Sequence, residues 1–245
     1  MSFKRQVKSC FKQWVHQTPF ITNSLAKIYQ LCGSKPWSLG YSFYKFKYIE
    51  HILKTDLSIF KNKHLPMGYG FSLDERVVEY PWFFTQLEDS DKVLLDAGST
   101  LNQYKILNVL TGRKIYLTTL AFEGINTLDQ MPSYIYEDLR GLSFKDEMFD
   151  AVACISTLEH VGMDNTFYSS DQTKNESDFT AYLKAINEFK RVLKMKGKLL
   201  ITVPYGRYKD YKSFQIFDKT MVNKLIATFS PDRFTSDYFV YENKQ

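Results

Sequence analysis

The chain has 245 residues, 44% of them hydrophobic and 16% aromatic, which is enough to bury a full core and excludes low-complexity disorder. A formal net charge of +5 is mild and comes without a dense basic stripe interleaved with aromatics, so nucleic acid is not an expected partner. Cys10, Cys32 and Cys154 have no paired spacing, which excludes a disulfide framework and a zinc knuckle and suits a reducing compartment.

The basic N-terminus lacks a continuous apolar stretch and a small-residue cleavage site, so no signal peptide is expected. No segment reaches the ~20 apolar residues that a membrane span needs, and a cytoplasmic location is the resulting expectation. Residues 1–60 read mainly as helix. Phe3, Val7, Phe11 and Trp14 recur at helical spacing, with Lys4, Arg5, Lys8 and Lys12 mostly on the other side. Such a helix packs on its own domain; its basic face also permits weak contact with a membrane surface. Pro36 and Gly40 interrupt the pattern, and a second helix is predicted through Tyr44 to Leu53.

Residues 65–82, LPMGYGFSLDERVVEYPW, form a glycine- and aromatic-rich approach to the main domain. The pattern then changes. Strands are predicted at Lys92–Leu95, Lys114–Thr118, Tyr134–Tyr136 and Phe149–Ile155, with a helix over Leu101–Leu110. The run AVACI reads as a strand buried on both faces. A polar segment, 163–177, reads as a mobile loop. The clearest helix comes next, with Ser177 as its N-cap, an apolar stripe from Phe179 to Leu193, and Gly197 as a left-handed stop. A strand at Lys198–Val203, a helix at Lys219–Phe229 and a strand at Tyr238–Tyr241 complete the chain. Strands alternating with helices predict an α/β fold, a Rossmann-like, doubly wound, mostly parallel sheet. Residues 1–64 are its helical N-terminal extension and 65–245 the α/β domain.

Ligands in such sheets bind outside the carboxyl ends of the strands, near the switch in strand order. Four segments reach that position. DAGSTLN, residues 96–102, offers Gly98 for a tight turn beside free backbone N–H groups. The second strand ends in Thr118 and Thr119, where a dinucleotide site would place a carboxylate, with Glu123 further on. This, and the absence of a GxGxxG motif, ranks a nicotinamide-dependent enzyme low. In YEDLRGLSFKDEMFD, residues 136–150, Asp138 comes directly after a strand and can accept a hydrogen bond from an exocyclic amine or simply cap a turn. In ISTLEHVG, residues 155–162, Glu159 and His160 are placed to act as base, metal ligand or substrate clamp.

Together, VLLDAGSTLN, EDLRGLSFKDEMFDAVACISTLEHVG, FKRVLKMKGK and LLITVPYG resemble the class I S-adenosylmethionine-dependent methyltransferases, in particular the type 11-like group. The resemblance covers roughly residues 65–242. GYGFSLDERVVEYPW with LLDAGSTLN further resembles a bacterial subgroup associated with surface-polysaccharide gene clusters. The resemblance implies S-adenosylmethionine as cofactor, with Asp96 and Gly98 beside its methionine end and Asp138 meeting the adenine on which Leu139 packs. Thr118 would belong to the same cofactor site, and Ser156 and Thr157 would border the methyl group. It also implies methyl transfer to an oxygen or nitrogen of a small molecule or saccharide, with His160 as base beside Glu159. Asp74, Glu75 and Arg76 would close over the site. The glycine turn departs from the family, with Thr100 and Asn102 at its later positions, and the ribose acid is missing. A non-catalytic binding or scaffold protein is therefore the alternative. Glu159-His160 is also similar to an acid–histidine pair that binds metal in some quinone O-methyltransferases; the further acid three residues earlier is Ser156 here, so no metal is expected. The resembled fold has seven strands, whereas the predicted elements supply six, with Tyr238–Tyr241 as a sixth strand at a weakened edge.

Overall fold

Parallel strands need apolar side chains on both faces, and FDAVACI meets that need: in the computed structural model Ala151, Ala153 and Ile155 pack into one core and Val152 and Cys154 into another. Residues 18–55, 57–61, 65–102, 106–121 and 133–241 are described. The helix expected at Phe3–Trp14, and Glu123, lie outside them. Strands β1 (Val93–Ala97), β2 (Lys114–Thr119), β3 (Ser133–Tyr136), β4 (Phe149–Ile155) and β5 (Leu193–Thr202) form one sheet in the order β3-β2-β1-β4-β5. Every pairing in it is parallel, with Leu94 opposite both Ile115 and Ala151. The chain winds outward from β1 to β3, then returns to the other side of β1 for β4. A crevice opens at that switch, at the carboxyl ends of β1 and β4.

Helices cover both faces. On one lie α1 (Pro19–Leu31), α2 (Tyr41–Thr55), the single turn α3 (Ser58–Lys61) and α4 (Arg76–Gln86), whose Tyr29, Tyr41, Ile49, Val77, Tyr80 and Phe83 share a buried cluster with Leu94 and Leu117. The second predicted helix thus forms, and Pro36 and Gly40 fall between α1 and α2 as expected. α4 was hidden in the sequence by Pro81, which lies inside it. Proline lacks the N–H that would reach the Val77 carbonyl, and the Tyr69 hydroxyl donates to that carbonyl instead at 2.7 Å. On the other face α6 (Tyr182–Val192) buries Tyr182, Ala185, Ile186, Phe189 and Val192. Each fully buried large side chain there contributes about 1.5–3 kcal/mol.

Several expectations are corrected. Leu101–Leu110 is not an α-helix: its described part is a bend and one 3₁₀ turn, Ile106–Val109, because Asp96 draws in the Thr100 and Leu101 amides and Tyr80 takes the Thr100 carbonyl. Segment 163–177 is structured, with a one-turn helix α5 (Thr166–Ser169), a 3₁₀ turn Gln172–Lys174 and a bridge between Asp164 and Asn175. Ser177 does not cap α6. The helix N-cap is Ala181, with no side-chain cap bond, and Asp178 instead organises the turn before it, accepting from the Thr180 amide at 3.0 Å and hydroxyl at 2.9 Å. Gly197 is not the left-handed stop; Lys196 takes that conformation at φ 65°, and Gly197 lies within β5, where a Cβ would come 2.9 Å from the Lys194 carbonyl oxygen. α7 (Lys219–Phe229) has the predicted limits, capped by Asp218 on the Met221 amide.

Tyr238–Tyr241 forms no strand, and among the described residues the main sheet has five strands rather than six. Side-chain contacts hold this segment instead of backbone pairing: Trp82 donates to Asp237, Tyr238 meets Tyr205, and Phe239 meets Phe60. Between Tyr205 and Phe217, where the sequence suggested no element, β6 (Lys209–Asp210) and β7 (Gln215–Ile216) pair as a small antiparallel hairpin apart from the main sheet. Among the described residues no helix is long and apolar enough to cross a membrane.

Candidate functional site

The crevice at the strand ends holds a cavity of about 280 Å³, near the lower end of the ~300–1,000 Å³ of small-molecule sites. Of the residues singled out in the sequence, Gly98, Thr118, Asp138, Leu139, Ser156 and His160 line it together. Asp96 and Glu159 do not. Asp96 is fully buried beneath the β1 turn, where its carboxylate accepts from the Leu101 amide at 2.8 Å and the Thr100 amide at 3.2 Å. It shapes the turn rather than facing the cavity. Gly98 is dictated by that turn: its φ is 119°, its N–H donates to the Thr118 carbonyl at 2.9 Å, and a Cβ would sit 2.2 Å from the Thr157 hydroxyl oxygen.

Thr118, one residue before the end of β2, is fully buried, and its hydroxyl has no hydrogen-bond partner. Glu137, just past β3, also lines the cavity; one carboxylate oxygen accepts from the Ser143 amide and the other is unpartnered. A buried polar atom without a partner costs about 1–3 kcal/mol, so two of them at one cavity mark groups that a polar ligand would satisfy.

Asp138 is more occupied than its sequence position suggested. Arg140 donates to it from Nε at 2.9 Å, from Nη2 at 2.7 Å and from its own amide at 3.0 Å, and Lys174 lies 3.5 Å away. Burial pushes the Asp138 carboxyl up, but the Arg140 and Lys174 donors outweigh it and leave the group below the usual carboxylate range. Arg140 also grips Glu176 at 2.5 and 2.8 Å, tying the turn after β3 to segment 163–177 across the cavity. The same turn is pinned from below by Arg191, which donates to the Leu142 and Phe144 carbonyls.

His160 lies beyond β4 with Nδ1 2.6 Å from the Ser213 carbonyl oxygen and its ring against Tyr168 and Phe214. A carbonyl only accepts, so Nδ1 carries the proton and Nε2 the lone pair. Burial lowers the His160 pKa, only partly offset by the bond to Ser213, and keeps the ring neutral and basic near pH 7.

On the β5 side a larger groove, about 1,800 Å³, runs between α4, β5, α7 and residues 230–240. Arg76, Ser156, His160 and Tyr168 line both it and the cavity, and so form the wall between them. Buried Glu79 organises that wall, accepting from the Ser156 hydroxyl at 2.5 Å, the Thr202 hydroxyl at 2.6 Å and the Arg76 guanidinium. Ser156 is held in a left-handed conformation, φ 39°. Glu159 lines the groove at 4% exposure with Oε2 unpartnered. Its pKa is raised to about 8, first by burial and then by Glu79, against the opposing Arg76 charge. Burial also raises the Glu75 carboxyl. Asp74, expected to close over the site, turns away to an ion pair with Lys45.

Sequence reasoning missed Glu79, Thr202, Glu137 and Arg140. Arg140 had a signal, two residues after Asp138 in a turn. Glu79 had none, because its helix was unread. Among the described residues no group of three or more His, Cys, Asp or Glu is placed to hold a metal ion.

Residues 95–201 match the family model described as a methyltransferase domain. An uncharacterized protein of Methanocaldococcus jannaschii is 36% identical over 106 residues, 42% of this chain and 36% of that protein, so the match spans about a third of the relative's length. Among solved structures, the YcgJ protein of Bacillus subtilis is similar at 15% identity and a TM-score of 0.45, over 62% of this chain and 67% of that one. The 1,6-didemethyltoxoflavin-N1-methyltransferase of Burkholderia thailandensis, solved with 1,6-didemethyltoxoflavin and S-adenosylhomocysteine, is 14% identical with a TM-score of 0.42, over 71% and 75% of the two chains.

Proposed function

We propose that residues 95–201, which match the methyltransferase-domain model, form a class I S-adenosylmethionine-dependent methyltransferase domain, and that this chain methylates an oxygen or nitrogen of a small molecule or saccharide. The observation that carries the proposal is the cavity at the ends of β1 to β4, which gathers Gly98, Thr118, Asp138, Leu139, Ser156 and His160. The residues present fit the cofactor: the unpartnered Thr118 hydroxyl and Glu137 carboxylate oxygen suit sugar hydroxyls, and Asp138 can accept from an adenine amine beside the apolar Leu139. When bound, the cofactor supplies an electrophilic methyl group on a sulfonium.

The chain's own residues do the rest. Gly98 lets the backbone approach closely. The Glu79 bonds to Ser156 and Thr202 hold the wall between cavity and groove rigid, so that an acceptor entering from the groove meets a fixed surface. His160, lone pair on Nε2, takes the acceptor's proton. A second reading, a binding protein without turnover, is favoured by one feature: Arg140 and Lys174 already occupy Asp138. Calorimetric titration with S-adenosylhomocysteine tests the proposal. One site per chain is expected. No heat at millimolar ligand would contradict it, and binding without methyl transfer to any nucleophile would favour the second reading.

A further inference from the structure

Charge is unevenly spread along the wall between cavity and groove. Glu75 just before α4, Glu79 on it and Glu159 after β4 face a single guanidinium, that of Arg76, and Glu79 already uses its oxygens on Arg76, Ser156 and Thr202. Glu159 has no such partner. It is 96% buried, it lines the groove, and its Oε2 meets no donor. A carboxyl oxygen buried at a groove wall without a donor is costly unless a ligand reaching in from the groove supplies one. The groove is mixed in character, with apolar and aromatic side chains such as Trp82, Phe214, Val203 and Tyr205 among charged and polar ones. An ammonium group carried on an apolar or aryl body matches both features: its N–H donors satisfy the open oxygen, and its body packs against the apolar and aromatic side chains.

We propose that the groove end at Glu159 binds a primary or secondary ammonium group on an apolar body, so that the acceptor of this methyltransferase is an amine. The proposal rests on the methyl-transfer reading for what happens to the amine, but not for its binding. The charged and titratable groups facing Glu159 are Glu75 just before α4, Arg76 and Glu79 on it, and Cys154 on β4, with His160 next in sequence. Cys154 is buried, and its thiol is pushed well above its usual range by that burial and stays neutral. The proton balance is simple. In the empty groove Glu159 is a neutral acid near pH 7. An arriving ammonium favours the carboxylate, so the Glu159 proton goes to solvent while the ligand keeps its own. His160 is then the base that removes the ammonium proton and exposes the nitrogen lone pair.

Phenethylamine and its neutral counterpart, 2-phenylethanol, serve as probes for calorimetry in buffers of different ionisation enthalpy. Phenethylamine is expected to bind the wild-type chain with release of most of one proton at pH 7, where an acid with a pKa of about 8 is largely neutral, and with less at pH 9. In Glu159→Gln, an isostere of the neutral acid that keeps the packing, proton release should vanish and affinity fall about tenfold or more. 2-Phenylethanol should bind weakly, with no proton release. Failure of the amine to bind, equal binding of amine and alcohol, or proton release that persists in Glu159→Gln would overturn the proposal. S-adenosylhomocysteine is titrated into the same protein. Its binding without amine uptake sinks this inference alone; amine uptake without it sinks the methyl-transfer reading alone.

Discussion

Asp96 and Glu159 are both buried carboxylates at strand ends, yet they differ in what their oxygens meet. Asp96 ends β1, fully buried, with both oxygens engaged by the Thr100 and Leu101 amides of its own turn. Glu159 lies just past β4 with one oxygen partnerless beside a groove. The first is architecture. The second is an unmet bond, and unmet bonds at a cavity mark ligand-facing groups better than sequence position does. Thr118 and Glu137 fall on the Glu159 side of this divide, and Asp138, enclosed by Arg140, is nearer the Asp96 side.

The largest expected effect concerns a residue with a free lone pair. His160→Ala should lower turnover about 10²- to 10⁴-fold, the usual worth of a general base, while S-adenosylhomocysteine affinity changes little. Steady-state kinetics with calorimetry separates the two, and an equal loss in both would make His160 a cofactor-binding residue instead of a base. Next comes the architectural carboxylate. Asp96→Ala orphans two buried amides, a destabilisation of about 2–5 kcal/mol. Urea unfolding with a shift under about 1 kcal/mol would remove Asp96 from the turn's support.

Asp138→Ala probes the intermediate case. If its carboxylate still accepts from the cofactor despite Arg140, S-adenosylhomocysteine affinity falls about tenfold, the ~1.5 kcal/mol of one charged hydrogen bond. Unchanged affinity in a folded variant would make Asp138 a clamp for Arg140 alone.

The remaining test is a pH slope. Glu159 has a folded pKa of about 8 against 4.5 when unfolded, so between those values the native chain holds a proton that the unfolded chain has released. Stability therefore falls as pH rises from about 5 to 8, and Glu159→Gln should flatten that slope. Identical slopes in both proteins would show that Glu159 is solvated and ionised.

The sheet was legible because parallel strands are apolar on both faces and short. AVACI, LLDA and the Lys219–Phe229 helix declared themselves by pattern alone. What failed did so for local reasons. Pro81 disguised α4, since the Tyr69 hydroxyl that compensates for it lies in a different segment. The Asp96 turn overrode the apolar spacing of Leu101–Leu110. At the site, Gly98, Thr118, Asp138, Leu139, Ser156, Thr157 and His160, all named from the sequence, line one cavity because they sit at or just past strand ends and the topology does the gathering. The Glu79 wall was invisible, because its partners Ser156 and Thr202 are 77 and 123 residues away in sequence.

If the crevice at the ends of β1 to β4 is the cofactor site, a crystal grown with S-adenosylhomocysteine will show it. Density is expected against Gly98 and Leu139, with the Thr118 hydroxyl and the open Glu137 oxygen now hydrogen-bonded to the ligand. Density confined to the β5 groove, or a crevice holding no ligand at a saturating concentration, would contradict that assignment.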